Sequence, residues 1–237
     1  DLVFPDGVDP SKKVPAMIFV HGSGGKQGRH QKWLSLFREL GIATVYADHF
    51  APRGASSTVG NQSKVTGAAM TADALNLLNA LANHPRIDAS KIGIMGASKG
   101  GGVATYVAWN PITKAIAGDS AFAAFIPLYP PCVRFEKKDM SKAPMLMMLG
   151  DSDNYTGVSQ CVASVRELQV AGFDNLTVKS YAGAYHAFDD DRGIRSLDDG
   201  YNLTGCKFLI RADGTTIEEK SGLSLAKPSN RRSAFGG

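Results

Sequence analysis

The most constraining feature of the sequence is the stretch of residues 92–102, which reads IGIMGASKGGG. An apolar run typical of a buried strand leads into a serine, and a helical pattern follows it. At so sharp a strand-to-helix turn the serine is strained, and the residues two before and two after it approach closely. Gly96 and Gly100 meet that requirement because they lack side chains. Since the helix N-terminus then points at Ser98 and favours negative charge there, the stretch predicts a nucleophilic serine.

The same glycines also fit G-x-x-x-G-x-G, the dinucleotide-binding loop of the short-chain dehydrogenases. That loop normally follows the first strand of its fold, whereas several predicted strands precede Gly96. Those enzymes also need a Tyr-x-x-x-Lys pair, and no tyrosine of this sequence has a lysine four residues later. The nucleophile is therefore the favoured interpretation.

Apolar runs and helical periodicities alternate along the chain. Strands are predicted at residues 14–20, 42–47, 92–95, 114–118, 144–149 and 175–181. Helices are predicted at residues 29–40, 68–81 and 158–171, and from the serine turn to residue 109. This alternation predicts an α/β fold with a doubly wound, mostly parallel sheet and helices on both faces. Ligands bind such sheets beyond the carboxyl ends of the strands.

The remaining segments are predicted to be less regular. Residues 49–67 form a long loop, and residues 119–142 carry an aromatic and proline cluster without regular structure. A short hairpin is expected within residues 201–217. We expect residues 1–220 to form a single domain and residues 221–237 to form a mobile C-terminal tail.

The composition argues against several classes of partner. Hydrophobic residues make up 43% and charged residues 20% of the chain, which is ordinary for a globular protein. The net charge of +4 is mild and the basic residues are scattered, so we expect no nucleic-acid partner. No apolar run approaches the length of a membrane span, so we expect no membrane partner. A homodimer is a possible assembly.

Three cysteines leave two interpretations open. Cys132 and Cys161 lie on either side of a predicted strand and should meet at one edge of the sheet, which makes a disulfide plausible. Cys206 would then remain a thiol or have a partner beyond this chain. The alternative is three reduced thiols in a cytoplasmic protein. We favour an oxidising compartment, and hence a periplasmic or secreted location.

A serine nucleophile needs a base and a group that orients the base. In α/β-hydrolases the order along the chain is serine, acid, histidine, and His186 is the only histidine after Ser98. Asp153 is the favoured acid because it completes G-x-x-D after a predicted strand, and Asp151 is the alternative. Either aspartate could instead cap the following helix. Residues 189–191, all aspartates, are expected to be solvated.

The tetrahedral intermediate of acyl transfer needs two N–H donors. We expect them to be the backbone N–H of Lys99, directly after the serine, and that of Ser23 in the glycine-rich turn after the first long strand. Loop 49–67 and the aromatic segment 119–135 would roof the pocket. Gly24, Phe122 and Tyr155 are the predicted substrate contacts.

With these residues in place, the chain resembles the dienelactone hydrolase family of α/β-hydrolases. The motifs lie within about residues 14–190. They are His21-Gly22-x-Gly24-Gly25, Gly96-x-Ser98-x-Gly100, Gly150-x-x-Asp153 and His186. The resemblance implies a small α/β-hydrolase fold that needs no metal and no organic cofactor and acts on esters or lactones through an acyl-enzyme. A peptidase or acyltransferase on the same triad, or a non-catalytic binding protein on this fold, are the alternatives.

The chain departs from the family pattern in three places. Dienelactone hydrolases proper use a cysteine nucleophile, where this chain has Ser98. They also carry a glutamate where this chain has Gly22, so their recognition of a dienelactone carboxylate does not carry over. The segment from about residue 191 does not match the usual closing helix. We therefore expect a serine-nucleophile variant, a carboxylesterase of dienelactone-hydrolase-like architecture.

Overall fold

Parallel strands form the centre of the molecule, for which a computed structural model describes residues 1–196, 202–227 and 229–230. The strands are β1 Leu2–Val3, β2 Val14–Val20, β3 Ala43–Ala47, β4 Ile87–Ala97, β5 Ala124–Leu128, β6 Val133–Phe135, β7 Met145–Gly150, β8 Leu176–Tyr181, β9 Phe208–Ile210 and β10 Thr216–Glu218. Within the described residues, seven of them form one sheet in the order β1-β3-β2-β4-β5-β7-β8. In this sheet β1 pairs antiparallel with β3, and every other pair of neighbouring strands is parallel.

Helices cover both faces of this sheet. They are α1 Gln31–Glu39, α2 Gly67–Ala82, α3 Lys99–Tyr106, α4 Asn110–Ala117 and α5 Val158–Val170. Successive side chains of β2 point to opposite faces, as the pleat requires. Ile18 belongs to the core cluster that includes residues of α2, α3 and α5, whereas Phe19 belongs to a second cluster with Leu34 and Phe37 of α1. The predicted α/β-hydrolase fold is confirmed.

One predicted element was wrong. Residues 114–118 are predicted as a strand, but residues 114–117 belong to helix α4, which has Pro111 in its first turn and buries Thr113 and Ala117, and Gly118 caps its end. The strand of this region is β5, inside the segment predicted to be irregular. Pro127 lies within β5 and removes a backbone donor, so the sequence there argued against a central strand.

Among the described residues after 202, strands β9 and β10 build a second, small sheet with β6. Strands β9 and β10 form the predicted hairpin, and β9 also pairs in parallel with β6. Residues 221–225 turn back on β10: Leu225 donates its N–H to Thr216 O, and Glu218 accepts from Ser221. Residues 221–225 thus contact β10, and a mobile tail from residue 221 stays a prediction. Most of residues 226–237 lies outside the described residues, where mobility stays a prediction.

A disulfide joins the segment after β5 to helix α5. It links Cys132 and Cys161, as the sequence suggested, while Cys206 is a buried thiol. Strand β5 ends beside β4, the strand that precedes Ser98, and α5 follows the loop of Asp153. The bond therefore links two segments that border the site. Among the described helices, none combines the length and apolar character needed to span a bilayer.

The disulfide gives a prediction about stability. Its cysteines are 29 residues apart, so loop-closure entropy predicts that reduction lowers the free energy of unfolding by about 3–4 kcal/mol. Urea unfolding with and without reductant measures this. The Cys161→Ala variant should no longer respond to reductant, whereas Cys206→Ala should respond as the parent does. Alkylation of the unfolded, unreduced protein should modify one thiol; three modified thiols would contradict the pairing.

Candidate active site

Three side chains meet at the carboxyl edge of the large sheet in one hydrogen-bonded chain. Ser98 follows β4, Asp153 follows β7 and His186 follows β8. Ser98 Oγ lies 2.9 Å from His186 Nε2, and His186 Nδ1 lies 2.8 Å from Asp153 Oδ2. Since an ionised carboxylate only accepts, Nδ1 carries the proton and Nε2 is left to accept from the serine. The arrangement can remove the serine proton as Oγ attacks an electrophilic carbon.

The backbone at Ser98 has the strain that the sequence predicted. Its φ is 54° and its ψ is −117°, outside the regions that L-residues usually occupy. A Cβ added at Gly96 would overlap the carbonyl oxygen of Gly100, and one added at Gly100 would overlap that of Val20. The predicted need for glycine on both sides of the serine is therefore confirmed.

Asp153 is held as a carboxylate. It is 8% exposed, and its oxygens accept from the N–H groups of Tyr155 and Thr156, from Thr156 Oγ1 and from His186. Burial acts to raise the pKa of Asp153, but the hydrogen bonds from His186 and Thr156 outweigh it and lower the pKa to about 2. The negative charge is thus available at neutral pH to stabilise an imidazolium at His186.

Asp151, the alternative acid, has another role. Its side chain is exposed, and Oδ1 accepts from the N–H of Gly183 at 2.7 Å and from Ser152 Oγ at 3.0 Å. It therefore fastens the turn after β8. Geometry favours Asp153 over Asp151 as the partner of His186.

Two tyrosines flank the His186 ring, each with its ring centroid 4.8 Å away. Tyr155, a predicted substrate contact, is partly exposed and packs at an interplanar angle of 47°. Tyr129 is fully buried and packs edge-on against the ring. Sequence reasoning placed Tyr129 only in an aromatic cluster and gave it no role.

The turn after β2 lies directly against the nucleophile. A Cβ at Gly22 would lie 3.2 Å from Ser98 Cβ. Gly22 O accepts from His21 Nδ1 at 2.9 Å and from the N–H of Gly25 at 3.1 Å. Because the peptide is planar, fixing the Gly22 carbonyl also fixes the direction of the Ser23 N–H. Lys99 begins α3, which places its N–H at the helix N-terminus.

His21 can hold this peptide because it stays neutral. Burial lowers the pKa of His21 to about 4. The neutral ring can then donate from Nδ1 to Gly22 O and accept at Nε2 from the N–H of His49, 3.2 Å away. His21 belongs to the glycine-rich motif, which by itself predicts no role for this side chain; its position at the carboxyl end of β2 was the available signal.

The Lys99 side chain fixes loop 49–67. Lys99 Nζ donates to Thr58 Oγ1 at 3.1 Å and to Gln62 O at 3.2 Å. Thr58 in turn donates its N–H to Ser23 O at 2.7 Å, and Ser23 Oγ donates to Gln62 Oε1. The loop, the turn after β2 and the residue after the nucleophile are thus one hydrogen-bonded unit.

One predicted substrate contact was wrong. Phe122 precedes β5, at the amino edge of the sheet, and packs in the core against Phe125 with ring centroids 5.9 Å apart. Ser98 lies at the opposite edge, so Phe122 cannot line its pocket. Gly24 is partly exposed beside Ser23, and its contact with substrate stays a prediction.

The aspartates after His186 also differ from expectation. Asp189 is buried, and the Asp190 side chain is 4% exposed and paired with Arg192 and Arg195. The prediction that residues 189–191 are solvated holds only for Asp191, whose side chain is 87% exposed. Trp33, Tyr129 and Arg29 from distant segments contact Asp189, whereas Asp190 pairs mainly with arginines of its own loop.

No cluster of three or more His, Cys, Asp or Glu side chains with the geometry of a metal site occurs in the part of the chain that the structure describes.

The sequence pattern of the dienelactone hydrolase family matches residues 7–205. The chain belongs to the dienelactone hydrolase family. As a member of this family it is a hydrolase. No curated protein matches the sequence.

Solved structures of similar fold accompany this family match. Esterase 2 of Thermogutta terrifontis superposes with a TM-score of 0.62 at 19% identity, covering 81% of this chain and 79% of that chain. Its form phosphorylated by paraoxon superposes with a TM-score of 0.61 at 19% identity, covering 79% and 78%. A Klebsiella pneumoniae protein described as a dienelactone hydrolase gives 0.64 at 19% identity, covering 82% and 84%. At these identities the likeness establishes the shared α/β-hydrolase fold.

The geometry predicts different effects for the two candidate acids. Asp153→Asn should lower kcat for an ester by roughly 10³–10⁴-fold, because an amide oxygen and nitrogen cannot hold His186 in the required tautomer. Asp151→Asn should change kcat less than twofold. Steady-state kinetics on the two matched variants measures this, and a larger loss in Asp151→Asn would reverse the assignment.

The role of His21 can be tested in the same way. His21→Phe keeps a buried ring but removes the donor to Gly22 O. We expect kcat to fall by roughly 10- to 100-fold, less than the loss of a whole oxyanion donor. His84→Phe, a partly buried histidine in the turn before β4, is the control and should retain full turnover. Equal activity in both variants would show that the Gly22 peptide keeps its orientation without His21.

Proposed function

We propose that this hydrolase cleaves carboxylic esters or lactones through an acyl-enzyme on Ser98. The observation that carries the proposal is the hydrogen-bonded chain from Ser98 through His186 to the ionised Asp153 at a strained turn. Family membership supports ester and lactone substrates, and the paraoxon adduct of the Thermogutta esterase supports a nucleophile that reacts with organophosphates.

In the first half-reaction, Ser98 Oγ bonds to the acyl carbon and its proton passes to His186 Nε2. The carbonyl oxygen becomes an oxyanion, which the N–H groups of Ser23 and Lys99 stabilise. When the tetrahedral intermediate collapses, the bond to the alcohol oxygen breaks and that oxygen takes the proton from His186. Asp153 stabilises the imidazolium throughout, as its lowered pKa allows.

In the second half-reaction, water attacks the acyl-enzyme and gives its proton to His186 Nε2. Collapse of the second intermediate breaks the bond to Ser98 Oγ, which recovers its proton from the histidine. A carboxylic acid is released and the enzyme returns to its starting state. In a lactone the acid and the alcohol remain in one product molecule.

The substrate contacts proposed for this site are Gly24, beside Ser23 in the turn after β2, and Tyr155, which packs on His186 and is partly exposed. For location we propose an oxidising compartment, periplasmic or secreted, supported by the disulfide. The thiol count described above, made on protein from its natural source, tests this.

Intact-mass analysis after treatment with a fluorophosphonate tests the nucleophile. The parent protein and the control Ser90→Ala, an exposed serine at the remote end of β4, should each gain one adduct, and Ser98→Ala should gain none. On a panel of chromogenic esters and a lactone, Ser98→Ala should lose roughly 10⁴-fold or more in kcat.

Two outcomes would contradict the proposal. An adduct on Ser98→Ala would place the reactive group elsewhere. A parent protein with neither adduct nor turnover would favour a non-catalytic binding protein on this fold.

A further inference from the structure

All three described non-glycine residues with positive φ contact or form the candidate site. They are Ser98 with φ 54°, Tyr129 with φ 34° and Ala187 with φ 59°. Such conformations persist only where surrounding contacts hold them, and they cluster at functional sites. The turn at Ser98 is held by the glycine contacts described above. Tyr129, which packs on His186, and Ala187, which follows His186, need another restraint.

Asp189 supplies contacts to both of these segments. Its Oδ1 accepts from Tyr129 Oη at 2.6 Å, and its Oδ2 accepts from Trp33 Nε1 at 2.8 Å. Arg29 lies 3.4 Å from Oδ1, and Lys32 donates to the backbone carbonyl of Asp189. Tyrosine, tryptophan and arginine approach this carboxylate as donors, so an acceptor-only group fits the position.

The placement of these donors matters for His186. Asp189 lies three residues after the histidine, so its bonds to Trp33 and Arg29 fasten the histidine loop to α1 and the turn before it. Its bond to Tyr129 fixes the phenol ring that packs edge-on against the imidazole. The imidazole is thereby restrained through its own loop and through the ring beside it.

We propose that Asp189 is a positioning residue that holds His186 in line between Ser98 and Asp153. This inference rests on the proposed function. Asp189 acts through Tyr129 and through the backbone of residues 187–189, and it touches no reacting atom. The carboxylate of Asp189 fixes the position of the histidine, as the contacts of Gly22 and Thr58 fix the turn after β2.

The neighbouring aspartates provide the contrast. Asp190 pairs with arginines of its own loop, Arg192 and Arg195, and only at 3.6 Å with Arg29. Asp191 is exposed and pairs with Lys32 at the surface. Neither is bonded to Tyr129 or Trp33, so Asp189 is the member of the three that links the histidine loop to the buried side of the site.

Asp189→Asn and Tyr129→Phe test the proposal, with Asp191→Asn as the matched control. Asparagine has a single acceptor oxygen, so it cannot replace both carboxylate oxygens of Asp189. The phenylalanine keeps the ring of Tyr129 and removes its bond to Asp189. We expect each to lower kcat per fluorophosphonate-titrated serine by roughly 10- to 100-fold, with KM within twofold, because small displacements of a catalytic group cost that much. The double variant should lose no more than the larger single loss, since both remove one shared bond.

The number of serines titrated by fluorophosphonate distinguishes a positioning role of Asp189 from a role in folding. A purely structural role would reduce the number of titrated serines or the thermal stability, and would leave kcat per titrated serine unchanged. That result, a loss confined to KM, or an equal loss in Asp191→Asn would overturn the proposal. If Asp189→Asn does not fold, Tyr129→Phe gives the same comparison with a buried ring retained.

A second measurement does not depend on turnover. The ring ¹⁵N resonances of His186, assigned by their loss in His186→Ala, should shift in Asp189→Asn and stay in place in Asp191→Asn. A parent protein without turnover or adduct would refute the proposed function alone, and the resonances would still decide the role of Asp189. Unchanged resonances in Asp189→Asn would overturn the positioning role whatever the activity.

Discussion

The close approach of strand β4 and helix α3 is the constraint on which the candidate site depends. A Cβ at Gly96 would overlap the carbonyl of Gly100 in α3, and one at Gly100 would overlap that of Val20 in β2, so β4, α3 and β2 cross there at distances that only glycine permits. The crossing forces Ser98 to a φ of 54° and presents its hydroxyl at the start of a helix. The N–H donors, His186 and the charged Asp153 are then arranged around the fixed hydroxyl of Ser98.

Those partners are fixed by contacts from far away in the sequence. A neutral His21 holds the Gly22 peptide, Thr58 holds the Ser23 carbonyl, and the Lys99 side chain anchors the loop that carries Thr58. Preorganised dipoles of this kind need no rearrangement when negative charge develops, which is why they are effective in acyl transfer. The pKa of Asp153 is low because its hydrogen bonds outweigh the effect of burial, whereas burial itself lowers the pKa of His21.

The two other strained residues are also held by contacts from distant segments. Tyr129 and Ala187 lie next to His186 in space or in sequence, and the buried carboxylate of Asp189 connects their segments to α1. Because these contacts restrain the strained residues from several sides, the imidazole of His186 is held in one orientation. The disulfide between Cys132 and Cys161 adds a covalent restraint between the segment that follows Tyr129 and the helix that follows Asp153.

The sequence by itself determined the features that depend on local spacing. The glycine pattern predicted the strained turn, chain order left His186 as the base, and alternating apolar runs predicted the parallel sheet. Tertiary structure decided what depends on distant contacts: the hydrogen bond of His186 to Asp153 and not to Asp151, the burial of Asp189, the contacts of His21 and the core position of Phe122. It also made a helix of residues 110–117 and a strand around Pro127, where local propensity pointed the other way. Local patterns fix where the backbone can turn, but burial and hydrogen bonding between remote segments assign each side chain its role.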